Sequence, residues 1–222
     1  MSLENNNSKK CVFIYATEGF NDRFILKSDL IERLKKKIDK IVIFYKDGDQ
    51  LEYKRQFQDE KTIILKAENQ KYQEYIKQNK IYSILIQFRA YINNGKYDTY
   101  IVDWFRKIFI AQNQWTKEYG MINRISGYLW NGLSFIFKYS YFLRKLLISF
   151  ESRYFVTKPH EKLFKKYNPD LVIVSALSGV PYNESFAREA KSFGVKVCSI
   201  MGSWDYAISL GIPGFEPDYV SA

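Results

Sequence analysis

Short apolar runs alternate with longer amphipathic segments, and this alternation limits the possible folds more than any other feature of the chain. The runs are CVFIYA (11–16), KIVIFY (40–45), KTIILK (61–66), DTYIVD (98–103), DLVIVSA (170–176) and VKVCSI (195–200). Continuous, β-branched runs of this length are typical of strands buried on both faces. Strands separated by helices pair in parallel through right-handed crossovers. The sequence therefore predicts an α/β fold, with a Rossmann-like, doubly wound, mainly parallel sheet of six to seven strands flanked by helices.

A repeated Pro-Asp pair predicts the last strand and suggests how the domain is organised. Asn-Pro-Asp-Leu-Val (168–172) opens the fifth run, and Glu-Pro-Asp-Tyr-Val (216–220) recurs near the end of the chain. Proline suits the position just before a strand, so a further strand is expected from Tyr219. We interpret residues 11–222 as one domain of a longer protein. The polar segment 1–10, which has no apolar secretion signal, is expected to be a disordered lead-in.

The charge of the chain favours anionic partners. Its formal net charge is +10, and 46% of its residues are hydrophobic. Such a balance attracts nucleic acid, anionic lipid or phosphorylated small molecules. The two cysteines, Cys11 and Cys198, lie in predicted strands and are interpreted as unreactive core thiols, which favours a cytoplasmic protein. With a single histidine and no run of about 18 uncharged apolar residues, we predict no metal, no cofactor and no membrane span.

The turn after the first strand lacks the usual nucleotide-binding glycines. It carries only Gly19 in ATEGFND, whereas a dinucleotide fold needs G-x-G-x-x-G for backbone amides to approach the pyrophosphate. Neither a P-loop nor a G-x-S-x-G nucleophile elbow occurs in the chain. These absences disfavour dinucleotide-dependent enzymes, ATPases and hydrolases of that type.

Ligands of doubly wound sheets bind at the carboxyl ends of the strands. In this chain those ends carry TEGFNDR, Asp103-Trp104, SALSGVPYNE and GSWDYAISLG. Glu18 is our candidate general base, because in an enzyme with no usable cysteine nucleophile and one histidine the expected proton acceptor is a carboxylate. Asp22 is either a second catalytic carboxylate or the cap of the next helix, and Asp103 is either a substrate contact or a cap. Further candidate substrate contacts are Gly19, Arg23, Ser178 and Gly179, whereas His160 is predicted to be a solvated side chain.

The segment from Tyr119 to Phe150, here called the cationic aromatic segment, contains four basic residues and no acidic one. Its apolar residues lie almost all round a helix, and two interpretations stay open. In one, a pair of helices is buried on both sides. In the other, a surface helix enters an anionic bilayer. Nucleic acid is not expected as a partner, because the basic residues are interleaved with bulky aliphatic ones. The predicted membrane contacts are Trp130, Phe135, Lys138, Phe142, Arg144 and Lys145.

Three stretches resemble the N-terminal half of GT-B glycosyltransferases, most of all bacterial proteins of surface-polysaccharide assembly. They are YATEGFNDRFILKSDLIERL, NPDLVIVSALSGVPYNESFAREAKSFGVKV and SWDYAISLGIPGFEPDYV. The resemblance covers about residues 11–45 and 168–220. It implies two Rossmann-like domains, of which this chain would be the acceptor-side one. The C-terminal domain, which holds the nucleotide-sugar, would lie outside the chain.

The residues that match the family's turn after the sixth strand are Ser203, Trp204, Asp205 and Gly211. The first two and Gly211 are candidate substrate contacts, and Asp205 is grouped with the candidate catalytic carboxylates. Tyr206 stands where the family commonly has Asn, and Leu210 stands where it commonly has Lys. Both departures remove polar groups from the turn.

The resemblance implies a hexosyltransferase of cell-surface polysaccharide synthesis. It would move a sugar from a nucleotide-sugar donor to a glycan or lipid-linked acceptor, with Glu18 deprotonating the acceptor hydroxyl. The chain would be inactive without its second domain, and it would work in the cytoplasm, peripherally on the inner face of the membrane. Two alternatives stay open: a non-catalytic module that binds a membrane surface or an anionic ligand, and a nucleotide-sugar epimerase of GT-B architecture.

Overall fold

A six-stranded parallel sheet forms the centre of the computed structural model, which describes residues 10–17, 25–46, 51–92, 132–176, 179–200 and 212–221. The strands are β1 (Cys11–Ala16), β2 (Lys40–Tyr45), β3 (Thr62–Lys66), β4 (Leu171–Val174), β5 (Lys196–Ile200) and β6 (Tyr219–Ser221). Their order is β3-β2-β1-β4-β5-β6, and every pair is parallel. This is the Rossmann order, so the predicted fold class is confirmed. The strand predicted at 98–103 lies outside the described residues.

Helices cover both faces of this sheet. They are α1 (Leu30–Lys35), α2 (Leu51–Phe57), α3 (Asn69–Gln78), α4 (Lys80–Tyr91), α5 (Tyr141–Tyr154), α6 (Glu161–Tyr167) and α7 (Pro181–Ser192), and residues 25–27 and 132–139 are also helical. α7 ends just before Gly194, whose φ of 76° favours glycine. α3 and α4 are separated at Asn79, whose side chain accepts a hydrogen bond from the Tyr82 amide and caps α4.

Alternate side chains of the buried strands pack into two cores. On one face Phe13, Tyr15 and Phe44 pack against Phe164 of α6 and Phe186 of α7. The opposite face buries Val12, Ile14, Ile41, Ile43 and Ile173 beneath Ile25, Leu26 and Ile31. Both cores are apolar across the whole sheet, which explains why these strands read as continuous hydrophobic runs. Cys11 is a buried free thiol whose pKa burial raises to about 11, so it resists forming a thiolate.

Aspartates fix the amino ends of three strands. The Asp170 carboxylate accepts from the Cys11 amide at 2.8 Å, and the Asp170 amide donates to the Cys11 carbonyl at 2.8 Å. Asp218 makes the same two bonds with Val197, both at 2.8 Å. Asp39 makes them with Lys10, at 2.8 Å and 3.0 Å. The Pro-Asp repeat in the sequence therefore marks a repeated structural role: Asp170 and Asp218 each join an incoming strand to its neighbour.

Candidate functional site

The carboxyl ends of three neighbouring strands form the candidate site. β4 lies between β1 and β5, with Val174 paired to Tyr15 on one side and to Ser199 on the other. The chain leaves β1 toward β2 and β3 but leaves β4 toward β5 and β6, so the topological switch point lies between β1 and β4. The carboxyl ends of β1, β4 and β5 therefore lie at the same edge of the sheet.

Three buried polar side chains lie at this switch point, and we call them the switch-point trio. The Thr17 hydroxyl donates to Asn183 Oδ1 at 3.4 Å, and Asn183 Nδ2 donates to Ser175 Oγ at 3.1 Å. Thr17, Ser175 and Asn183 are all at most 4% exposed. Each is neutral, and hydroxyl and amide groups can donate and accept at once. Such a floor suits a ligand rich in hydroxyl groups.

The first turn of α7 borders the trio. Gly179 has a φ of 75°, which lets the chain turn sharply before Val180 and the helix-opening Pro181. The N-cap residue, Val180, has no side chain that accepts from the first amides of the helix, and these amides and the helix dipole favour a partly negative ligand atom. The structure therefore gives Gly179, which the sequence analysis named as a substrate contact, a definite conformational role at this edge.

Among the described residues, four buried charged side chains cluster between α4, α5 and α7, and we call them the buried ion network. Its members are Arg89, Glu151, Glu184 and Arg188. Arg89 Nε donates to Glu151 Oε1 at 2.7 Å, and Arg89 Nη2 donates to Glu184 Oε2 at 2.5 Å. Arg188 Nη1 donates to Glu151 Oε2 at 3.4 Å, and Arg188 Nη2 donates to the Tyr82 hydroxyl. Two cations thus face two carboxylates, as buried charges require.

Burial shifts the pKa values of this network. Desolvation raises the pKa of Glu151 to about 7, although the guanidinium of Arg89 opposes the shift. Desolvation also lowers the pKa of Arg188 to about 10, which leaves it protonated at neutral pH. For Arg89, burial lowers the pKa, but Glu184 and Glu151 outweigh it and the net shift is upward.

The network also holds the backbone at residues 212 and 214. Arg89 Nη1 donates to the Ile212 carbonyl and Arg188 Nη1 to the Gly214 carbonyl, each at 2.9 Å. A Cβ at Gly214 would stand 2.7 Å from atoms of Arg89, Glu184 and Arg188. Only glycine fits there without displacing the ion pairs. Residues 212–214 are therefore fixed by side chains of α4 and α7.

His160 is not solvated as the sequence analysis predicted; it is 2% exposed. Its backbone amide donates to Glu189 Oε1 at 2.7 Å, and its Nδ1 lies 3.1 Å from Glu189 Oε2. The Tyr72 hydroxyl donates to the same oxygen at 2.5 Å, and burial, followed by the Glu189 charge, raises the pKa of Tyr72. The prediction was wrong because these partners lie 29 and 88 residues from His160 in sequence. The cluster is enclosed and interpreted as structural.

Most of the predicted site residues lie outside the described residues. These are Glu18, Gly19, Asp22, Arg23, Asp103, Ser178, Ser203, Trp204, Asp205, Gly211 and, in the cationic aromatic segment, Trp130. Their roles stay predictions. The trio itself was not singled out in sequence, although Thr17, Ser175 and Asn183 lie within the named segments. A signal was present for two of them, since Thr17 and Ser175 are polar residues that directly follow apolar strands.

The described part of the cationic aromatic segment is buried on one side only. Phe135 and Phe142 are 64% and 70% exposed, whereas Leu147 of α5 is buried against Phe88 and Ile212. Lys138 lies over the ring of Tyr139, and Lys145 Nζ is 3.9 Å from a Glu216 carboxylate oxygen. Arg144 is half-buried. The predicted contact residues that the structure describes are therefore at least partly accessible.

A groove of about 440 Å³ lies on the opposite side of the sheet from α7, between α1 and α2. Its charged lining includes Lys35 and Glu32, which pair with each other at 2.6 Å. In the described parts of the chain, no group of His, Cys, Asp and Glu side chains could hold a metal ion. Of the helices described, none is long and apolar enough to cross a bilayer.

Comparisons with known proteins give no family for the chain: no protein-family model matches it, and no curated protein or solved structure matches it significantly.

Proposed function

We propose that this chain is the acceptor-binding domain of a hexosyltransferase built from two Rossmann-like domains. The observation that carries the proposal is the switch-point trio. Its three buried neutral groups, Thr17, Ser175 and Asn183, lie where doubly wound sheets bind their ligands. Sugars present hydroxyl groups that donate and accept, and the trio offers the complementary capacity. The resemblance of the sequence to the acceptor half of GT-B glycosyltransferases supports the same conclusion.

In this proposal the acceptor sugar binds above the trio, with its reacting hydroxyl directed toward the turn after β1. Glu18, the residue after Thr17 in sequence, takes the proton from that hydroxyl as its oxygen attacks the anomeric carbon of the donor. The nucleoside diphosphate leaves into the second domain. The acceptor belongs to cell-surface polysaccharide synthesis and is a glycan or a lipid-linked glycan, which places the enzyme in the cytoplasm at the inner face of the membrane.

Saturation-transfer NMR with methyl hexopyranosides and short glycans tests acceptor binding. We expect sugar signals from the wild-type domain and their loss in Asn183→Ala, which removes the central member of the trio. Ser192→Ala is the matched control: it removes a hydroxyl from the other end of α7, where Ser192 donates to the Glu189 carbonyl at 2.7 Å. Absence of sugar signals, or equal loss in both variants, contradicts the proposal.

Turnover tests the role of Glu18 separately. In the protein that carries both domains, Glu18→Gln should abolish release of nucleoside diphosphate from nucleotide-sugar while donor binding persists. Undiminished turnover excludes Glu18 as the base, and acceptor binding to the trio would then still stand on the NMR result.

A further inference from the structure

The outer face of α5 is apolar where a surface helix is normally polar. Phe142, Leu146, Phe150 and Tyr154 follow one another at four-residue spacing and are all exposed, from 42% for Phe150 to 70% for Phe142. On the inner face of the same helix, Leu147 and Glu151 are buried. α5 therefore has one buried side and one exposed side, and these four apolar side chains belong to the exposed side of the folded helix.

The helical residues 132–139 directly precede α5 and also expose large apolar side chains; we call the two sets together the aromatic face. It contains most of the large hydrophobic side chains that are exposed in the described residues; the others are Ile81, Ile84, Tyr219 and Val220. Its members are Leu133, Phe135, Ile136, Tyr139, Tyr141, Phe142, Leu146, Phe150 and Tyr154. An exposed apolar concentration of this kind marks an interaction surface.

Positive charge accompanies the aromatic face. Lys145 and Arg153 alternate with its apolar residues along α5, and both are exposed. The only acidic residue between 132 and 154 is Glu151, which is fully buried and paired with Arg89 and Arg188. The pair between Lys145 and Glu216 is exposed at both ends, and such pairs are weak. The face therefore presents cations and apolar groups without an exposed acid of its own.

This combination fits an anionic lipid surface better than other partners. A second copy of the chain would bring like charges together, which opposes association. Nucleic acid would leave the bulky side chains facing phosphates. At an anionic bilayer, aromatic and aliphatic side chains enter the acyl boundary while lysine and arginine reach the headgroups. α5, with 14 residues, is about 21 Å long and lies in the interface plane instead of crossing it.

We propose that the aromatic face binds the surface of a membrane that contains anionic phospholipids. Phe135, Phe142 and Phe150 supply the apolar contact, and Lys138, Lys145 and Arg153 supply the charge. This inference adds a specific surface and a lipid class to the membrane location proposed above. It rests on that location but not on sugar transfer.

Vesicle flotation tests the proposal without any turnover. We expect the protein to float with phosphatidylcholine vesicles that contain phosphatidylglycerol and to bind pure phosphatidylcholine weakly. Phe142→Ser with Phe150→Ser should lower the affinity by about tenfold or more, because two large apolar contacts are lost. Lys145→Glu with Arg153→Glu should remove the preference for the anionic vesicles. Ile81→Ser with Ile84→Ser is the matched control, since it removes two exposed apolar side chains from α4 and should leave flotation unchanged.

Several outcomes would overturn the proposal. One is no flotation of the wild type with anionic vesicles; another is equal flotation of the double phenylalanine variant, with circular dichroism showing that both proteins are folded. A wild-type dimer in light scattering that becomes a monomer in the same variant, without vesicle binding, assigns the face to a second copy. Loss of unfolding free energy in that variant, again without vesicle binding, assigns it to another segment of the chain. Because flotation does not measure sugar transfer, a negative flotation result does not affect the NMR test of sugar binding.

Discussion

The buried ion network and the switch-point trio are both polar and both buried, yet their hydrogen-bonding groups are used differently. In the network, two arginines face two carboxylates, with donor–acceptor distances as short as 2.5 Å. The same arginines also donate to the backbone carbonyls of Ile212 and Gly214. In the trio, three neutral groups share two bonds of 3.1 and 3.4 Å. α7 supplies both clusters, with Asn183 and Glu184 adjacent in sequence. The two clusters therefore differ in charge and in place: the network pairs charges that hold helices and chain together, whereas the neutral trio lies at the sheet edge where ligands of such folds bind.

The largest expected effect is on the network. Arg89→Met leaves Glu151 and Glu184 buried without their main cation, and breaking a buried pair in this way costs about 3–5 kcal/mol in the free energy of unfolding. Urea denaturation measures it. Arg33→Met is the control: its pair with Asp29 is 2.6 Å long but exposed, so its loss should cost about 1 kcal/mol or less. Similar losses in the two variants would mean that the network contributes no more than a surface pair.

The pH dependence of stability should separate the network from the neutral trio. Burial raises the pKa of Glu151 from 4.5 to about 7, so the folded protein holds a proton that the unfolded chain has released. Stability should therefore fall as pH rises from about 4.5 to 7, by up to about 1.4 kcal/mol per pH unit. Urea unfolding across this range measures the slope, and Glu151→Gln should flatten it.

Asp59 and Asp218 do not mask this slope. Their pKa values are lowered below 3.8, since hydrogen bonds to their carboxylates outweigh burial. Their contribution is present above the ordinary aspartate pKa and is lost only as pH falls below it. An unchanged slope in Glu151→Gln would assign the pH dependence to other groups.

A smaller effect is expected where the network meets the chain after β5. Gly214→Ala places a Cβ 2.7 Å from three network atoms, and such overpacking costs about 1–3 kcal/mol. In the control, Gly132→Ala, no atom lies within 4 Å of the added carbon, and thermal unfolding should show no loss, because alanine favours a helix. Equal stability of both variants would show that the network side chains can shift to accommodate a methyl group at position 214.

The smallest change in stability is expected in the trio. Thr17→Val removes one long hydrogen bond and should cost about 1 kcal/mol or less, while the affinity for sugar should fall by about three- to tenfold for the same lost bond. Thr17→Ser keeps the hydroxyl and should keep the affinity. Calorimetry and sugar titration together measure both quantities. A large loss of unfolding free energy with unchanged affinity for sugar would mean that the trio, like the network, stabilises the fold and does not bind sugar.

The strands could be predicted because local sequence determines them. CVFIYA is apolar throughout, and KIVIFY is apolar after Lys40, since both faces of these strands are buried. The pairing of β1 with β4 is different, because 159 residues separate Cys11 from Asp170 and no local pattern records the contact. The strand order became known only from the structure.

The buried charges were harder to predict from sequence than the strands. Residues 183–190 include four charged or amide side chains, yet every residue there is buried, because partners come from α3, α4, α5 and the turn at His160. A sequence window cannot reveal such partners. Glu151 offered a usable signal, since a single acid after a long cationic apolar segment implies a buried cation nearby. The aromatic face was recognised from composition, but its division into buried and exposed sides required the fold.

The aspartates at the amino ends of the strands have a consequence for how the chain finds its fold. A one-residue slip of β2, β4 or β6 would break both bonds at its aspartate and turn the strand's side chains to the wrong face. Parallel pairing between distant segments is slow, and misregistered intermediates aggregate. Asp39, Asp170 and Asp218 stand just before these strands, so a shifted alignment loses their hydrogen bonds as soon as the strand begins to pair. The three aspartates therefore favour correct assembly as well as the finished sheet.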